Sequence, residues 1–112
     1  MQISGFYSLA FSAQLPGSGA MVIIDNGTVR GADSQYLYAG TVEQSGDALK
    51  VQLHVKAHAE AAKVLFSDVG GEFSLELDGT GNELAFCVAG ASPLPHSSVT
   101  VTGHRVAQLD LS

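Results

Sequence analysis

Asp33 has the most suggestive neighbours in the chain. It follows Gly31-Ala32, precedes Ser34-Gln35, and is trailed by Tyr36 and Tyr38. A carboxylate near phenols could act as a general base or hold a cation. A calcium loop, however, needs several oxygen ligands at alternating positions, and only Ser34 and Gln35 stand close by. Asp at a bend also accepts backbone N–H bonds in an Asx-turn. Asn26, Gly27, Gly31 and Asp33 are therefore read as structural corner residues. No catalytic residue is assigned, and a hydrolase or isomerase using Asp33 with a tyrosine ranks last among the functions considered.

The other reactive side chains give no constellation. The four histidines are His54, His58, His96 and His104. His54 and His58 share one face of an extended segment, about 13 Å apart, too far to ligate one ion. Neither Cys87 nor any carboxylate has metal-ligand spacing to them. No metal site and no cofactor are expected. Cys87 lies in "AFCVAG" with no cation beside it to favour a thiolate, so it reads as a small packing residue. "PGSGA" and "DGTGNEL" lack the lysine of a phosphate loop and the spacing of a dinucleotide fingerprint. The "NGT" sequon at 26–28 is explained by a turn.

Period-two alternation runs almost throughout, broken by Gly, Asn and Asp. "GFYSLAFS", "AMVIID", "TVRG", "YLYAGTVE", "ALKVQLHVKA", "FSLELD", "ELAFCVAG" and "SVTVTGHRV" read as eight strands joined by hairpin-length turns. Asn26-Gly27 fits a type I′ turn, because both positions need positive φ. "QSGD" and "GTGN" read as further turns. "AMVIID" is apolar on both faces, which predicts protein on both sides of it. In "AFCVAG" and the residue before it, Leu84, Phe86 and Val88 are expected on one face and Ala85, Cys87 and Ala89 on the other. The alanine-rich stretch 57–66 predicts one short helix.

Eight antiparallel strands with one apolar face must close or stack, and closure also removes exposed edges. The expectation is all-β: one domain, residues 1–112, folded as an eight-stranded antiparallel up-and-down barrel, with a sandwich as second choice. Gly31, Gly40 and Gly103 fall inside strand-like runs, where barrels bend sharply. The inward set includes Tyr7, Leu9, Phe11, Leu53, Val55, Phe73, Leu75, Leu77 and Phe86. An eight-stranded barrel is either filled by such side chains or holds one small ligand. These nine are thus also the possible lining of a cavity for an apolar small molecule.

Composition narrows the partners. Eleven carboxylates face five scattered cations, for a net charge of −6, so direct nucleic-acid binding and anionic membrane surfaces are disfavoured. Charged residues make up only 14%, a sparseness that predicts self-association, most simply a homodimer. A lone cysteine excludes an internal disulfide. The opening "MQISGFYSLAFSA" has no cation before its apolar run, which Ser8 interrupts, so it does not read as a signal peptide. A cytoplasmic location is expected.

"GFYSLAFS", "GSGAMVIIDNGTVRGADSQYLYAGTVEQSGD", "LKVQLHVKAH" and "KVLFSDVGGEFSLELDG" together resemble the GrlR-like regulators, whose namesake is a negative regulator of type III secretion gene expression. The likeness runs from Gly5 to about Val101. It implies a lipocalin-like barrel, a homodimer, no enzymatic activity, and transcription regulation through contact with a basic protein partner such as a transcriptional activator. Two positions depart from the family pattern. Ala32 stands where a second glycine is usual, and "EQSGD" replaces an acidic run. By the resemblance, Glu43 and Asp47 in that acidic turn are the partner-binding candidates.

Overall fold

The computed structural model describes residues 3–11, 20–60, 72–91 and 98–112. Its strands are β1 (Gly5–Phe11), β2 (Ala20–Asp25), β3 (Thr28–Ala32), β4 (Tyr36–Ser45), β5 (Ala48–Ala57), β6 (Glu72–Gly81), β7 (Ala85–Ala91) and β8 (Ser98–Ala107). Each pairs antiparallel with the next, and β8 returns to β1, closing the barrel. Closure leaves no open strand edge.

Alternation sets the inside. On β5, Leu49, Val51, Leu53, Val55 and Ala57 are buried while Lys50, Gln52, His54 and Lys56 are exposed. Ile3 and, from the other strands, Tyr7, Leu9, Ala20, Val22, Ile24, Val29, Tyr36, Tyr38, Phe73, Leu75, Leu77, Val88, Val99 and Val101 complete the buried core. Asn26 (φ 51°) and Gly27 (φ 79°) make the β2–β3 turn in the left-handed region, as the sequence required. Gly46-Asp47 turns β4 into β5, with Ser45 opposite Ala48.

Two glycines show why the barrel can bend. A Cβ on Gly40 would collide with the Gln52 carbonyl oxygen of β5, so only glycine lets the strands approach there. Gly103 lies under the ring of its register partner Phe86, which fills the space a side chain would take. Beside Gly103, the β1–β8 register slips by one: Tyr7 faces Arg105 and Phe6 faces Ala107, leaving Val106 as the extra residue of a bulge.

Four expectations need correcting. "GTGN" is not a turn as a whole, because Gly79–Gly81 continue β6 and pair with Phe86–Val88. Glycines 79 and 81 permit the close approach to β7, and the turn shrinks to residues 82–84. There the Asn82 side-chain oxygen accepts from the Leu84 and Ala85 N–H groups at 2.8 and 3.1 Å. Leu84 consequently lies in the turn, 61% exposed, rather than inward with Phe86. Ala57 is the buried last residue of β5 rather than a helix start, while residues 61–66 of that expected helix lie outside the described residues. Finally, β2 has protein on one side only within the chain: Met21 and Ile23 are 47% and 42% exposed. Among the described residues, no helix is long and apolar enough to cross a membrane.

Candidate functional site

The Asp33 corner joins β3 to β4. One carboxylate oxygen accepts from the backbone N–H groups of Gln35 (2.8 Å) and Tyr36 (2.6 Å), and the other from the Tyr38 hydroxyl (2.7 Å). The Asp33 N–H donates to the Tyr36 carbonyl at 3.0 Å. The chain leaving β5 pins the bend from outside. His58 N–H donates to the Gln35 carbonyl at 2.8 Å, and the His58 Nε2 lies 3.0 Å from the Asp33 carbonyl. Both carboxylate oxygens are thus engaged by the corner itself. Burial, then the bond to Asp33, raises the Tyr38 hydroxyl far above its ordinary pKa. Burial also raises Tyr36, with the Asp33 charge adding to it. Neither phenol is disposed to ionise.

The nine interior candidates all point inward. Leu9, Leu53, Leu77 and Phe86 border one void of about 30 Å³, lined wholly by apolar groups. A second void near Ile3 and Leu49 is about 10 Å³. Ligand pockets run to about 300 Å³ or more, so both of these voids are far below that size. Phe11 stacks on Tyr38 (centroids 5.4 Å apart) at the end holding the Asp33 corner. Tyr7 meets Phe86 at 5.5 Å, and its hydroxyl donates to the Glu83 carbonyl at 2.6 Å. Burial raises the Tyr7 pKa as well. At the opposite end from the Asp33 corner, Ile3, 2% exposed, packs into the core, and its N–H donates to the Gln44 side-chain oxygen at 2.9 Å.

Glu43 and Asp47 are exposed, near the β4–β5 turn. The register shows what sequence reading missed. Glu43 stands opposite Lys50, and Lys50 opposite Asp78. Gln52 stands opposite Glu76 and Lys56 opposite Glu72. The outer face of β4–β6 thus gathers Glu43, Asp47, Glu72, Glu76 and Asp78 around two lysines. Counting outward from the Gly46-Asp47 turn would have found the first of these pairs. An open groove of about 330 Å³ crosses this face, lined by Ala39, Thr41, Gln52, His54, Ser74 and Glu76 among others. His54 sits in it, 3.2 Å from a Glu72 carboxylate oxygen and 3.2 Å from the Ser74 hydroxyl.

The remaining reactive groups stay apart. Cys87 is free and exposed on β7, flanked on its face by Ala85 and Ala89. His104 is exposed on β8, and His96 lies outside the described residues. Among the described residues, no three His, Cys, Asp or Glu side chains gather as a metal site would require. Neither protein-family models nor curated proteins gave a match to this chain.

Proposed function

We propose that the protein is a non-catalytic, dimeric regulatory module of the GrlR-like kind, working in the cytoplasm. It sequesters a basic protein partner, such as a transcriptional activator, on the acidic outer face of β4–β6. The observation that carries this reading is the gathering of five carboxylates there, Glu43 and Asp47 among them, beside an open groove. Closure supports it too. With no open edge for strand addition, a protein partner has to meet side chains on a face. Carriage of an apolar ligand inside the barrel is the weaker alternative, because the two voids that the interior candidates border are of about 30 and 10 Å³.

Immobilised wild-type protein and a Glu43→Lys/Asp47→Lys variant, each challenged with native lysate at low salt, test the reading. The expected result is one stoichiometric basic partner held by the wild type and lost from the variant. Equal capture by both, or a lipid-sized mass retained in native mass spectrometry without any protein partner, would overturn it.

A further inference from the structure

The outer face of β1–β3 differs from that of β4–β6. Its outward residues are Phe6, Ser8 and Ala10 on β1, Met21, Ile23 and Asp25 on β2, and Thr28, Arg30 and Ala32 on β3. Only Asp25 and Arg30 are charged, and among the described residues neither side chain makes an ion pair. Phe6 stands beside Ile23, and Ile23 beside Arg30, in one cross-strand row. Exposed Leu37 extends the apolar area onto β4 opposite Ala32.

We propose that this face is the contact between two copies of the chain, related by a two-fold axis lying in the face and passing between Arg30 and Asp25. The register dictates the arrangement. Ile23 pairs with Arg30 and Asp25 with Thr28, which puts Arg30 and Asp25 on a diagonal about 8 Å apart. An axis that bisects this diagonal at right angles runs close to Ile23 and Phe6. Each of these then packs on its own copy at the centre. The same operation sets Arg30 of each copy against Asp25 of the other, so the two charges of the face satisfy each other reciprocally. The acidic β4–β6 faces remain outside the contact, which limits repulsion between two chains of net charge −6. The proposal rests on the dimeric part of the function above and supplies its contact surface, leaving the acidic face free.

Sedimentation equilibrium on the full chain tests it. Wild type is expected to be a dimer at ~100 µM. Ile23→Glu is expected to weaken association by about a hundredfold. Arg30→Asp and Asp25→Arg each set like charges together and should weaken it by about tenfold. The double variant Asp25→Arg/Arg30→Asp should return to within about threefold of wild type. If Ile23→Glu melts early, Ile23→Thr keeps the β-branched shape and should still weaken association by about tenfold. A monomeric wild type overturns the proposal, as does a double variant no tighter than the singles. A dimer indifferent to Ile23 places the contact elsewhere, and a monomer that still captures a basic partner refutes this contact while sparing the sequestration reading.

Discussion

The outer faces of β1–β3 and β4–β6 belong to one sheet and alternate with equal regularity, yet they differ in kind. On β5 and β6 every outward position from Lys50 to Lys56 and from Glu72 to Asp78 is polar. On β2 the outward positions before Asp25 are Met21 and Ile23. The fully buried residues of both halves are all apolar or tyrosine, so the core cannot explain the contrast. Folding asks only that one face of each strand be apolar. A second apolar face adds nothing to a monomer and invites association, so its presence on β2, set against the wholly polar outer positions of β5 and β6, points to a contact made there. β4 is the seam between the halves: its outward Leu37, Ala39 and Thr41 each stand opposite a β3 residue on one side and a β5 residue on the other.

Damage to the seam should be the most severe test, because it disturbs both halves at once. Gly40→Ala drives a Cβ into the Gln52 carbonyl, which is backbone and cannot swing aside. β4 and β5 must then separate, and a loss of about 3 kcal/mol is expected, read as a large fall in the chemical-denaturation midpoint. A near-neutral Gly40→Ala would mean that the two strands do not approach as described.

The Asp33 corner, where β3 passes into β4, comes next. Asp33→Ala removes the acceptor for two backbone N–H groups and for the Tyr38 hydroxyl, a loss of about 2 kcal/mol. Asp33→Asn keeps the oxygen facing the two N–H groups and should recover more than half of that. Equal losses for the two variants would show that the turn bonds carry little. Together with Tyr7 at the far end of the barrel, the corner's tyrosines also set an alkaline limit. Tyr7, Tyr36 and Tyr38 all have raised pKa values in the folded state, chiefly from burial. Raised folded values favour the neutral phenol, so their contribution is complete below the unfolded value of about 10 and is lost as pH rises above it. Tyrosinate absorbance should therefore appear together with unfolding rather than before it.

The strand order and both faces of most strands were legible because each strand is bounded by a turn with its own chemistry. Asn26-Gly27 can hardly be anything else, and the unbroken alternation from Leu49 to Val55 admits one register. "GTGN" misled because glycine signals both a turn and a close strand approach, and only the partner strand decides between them. Leu84 followed from the same error. The Asp33 corner could be read as an Asx-turn from composition alone, but its bond to Tyr38 could not, since that depends on where β4 carries the ring. The acidic face was hidden for a related reason. Asp78 is far in sequence from Glu43 and Lys50, and the three become a row only when three strands are in register. The doubly apolar pattern of "AMVIID" was visible from the start, and what it lacked was a location on the closed surface.

The smallest effect separates the two faces most cleanly. Lys50 lies between Glu43 and Asp78 on neighbouring strands, all three exposed. Lys50→Glu would place three like charges side by side, where opposed like charges destabilise a sheet pair by a few tenths of a kcal/mol to about 1 kcal/mol. Most of that loss should vanish between low salt and ~1 M salt, where screening reaches only about 3 Å. Ile23→Thr, at the matching place on the other face, should leave monomer stability within about 0.5 kcal/mol at either salt. Its effect belongs to association, which urea melts at several protein concentrations would reveal as a weakened concentration dependence. If Lys50→Glu is indifferent to salt, the β4–β6 face does not act as an electrostatic surface. If Ile23→Thr lowers stability equally at all protein concentrations, Ile23 serves the barrel itself and the contrast between the two faces disappears.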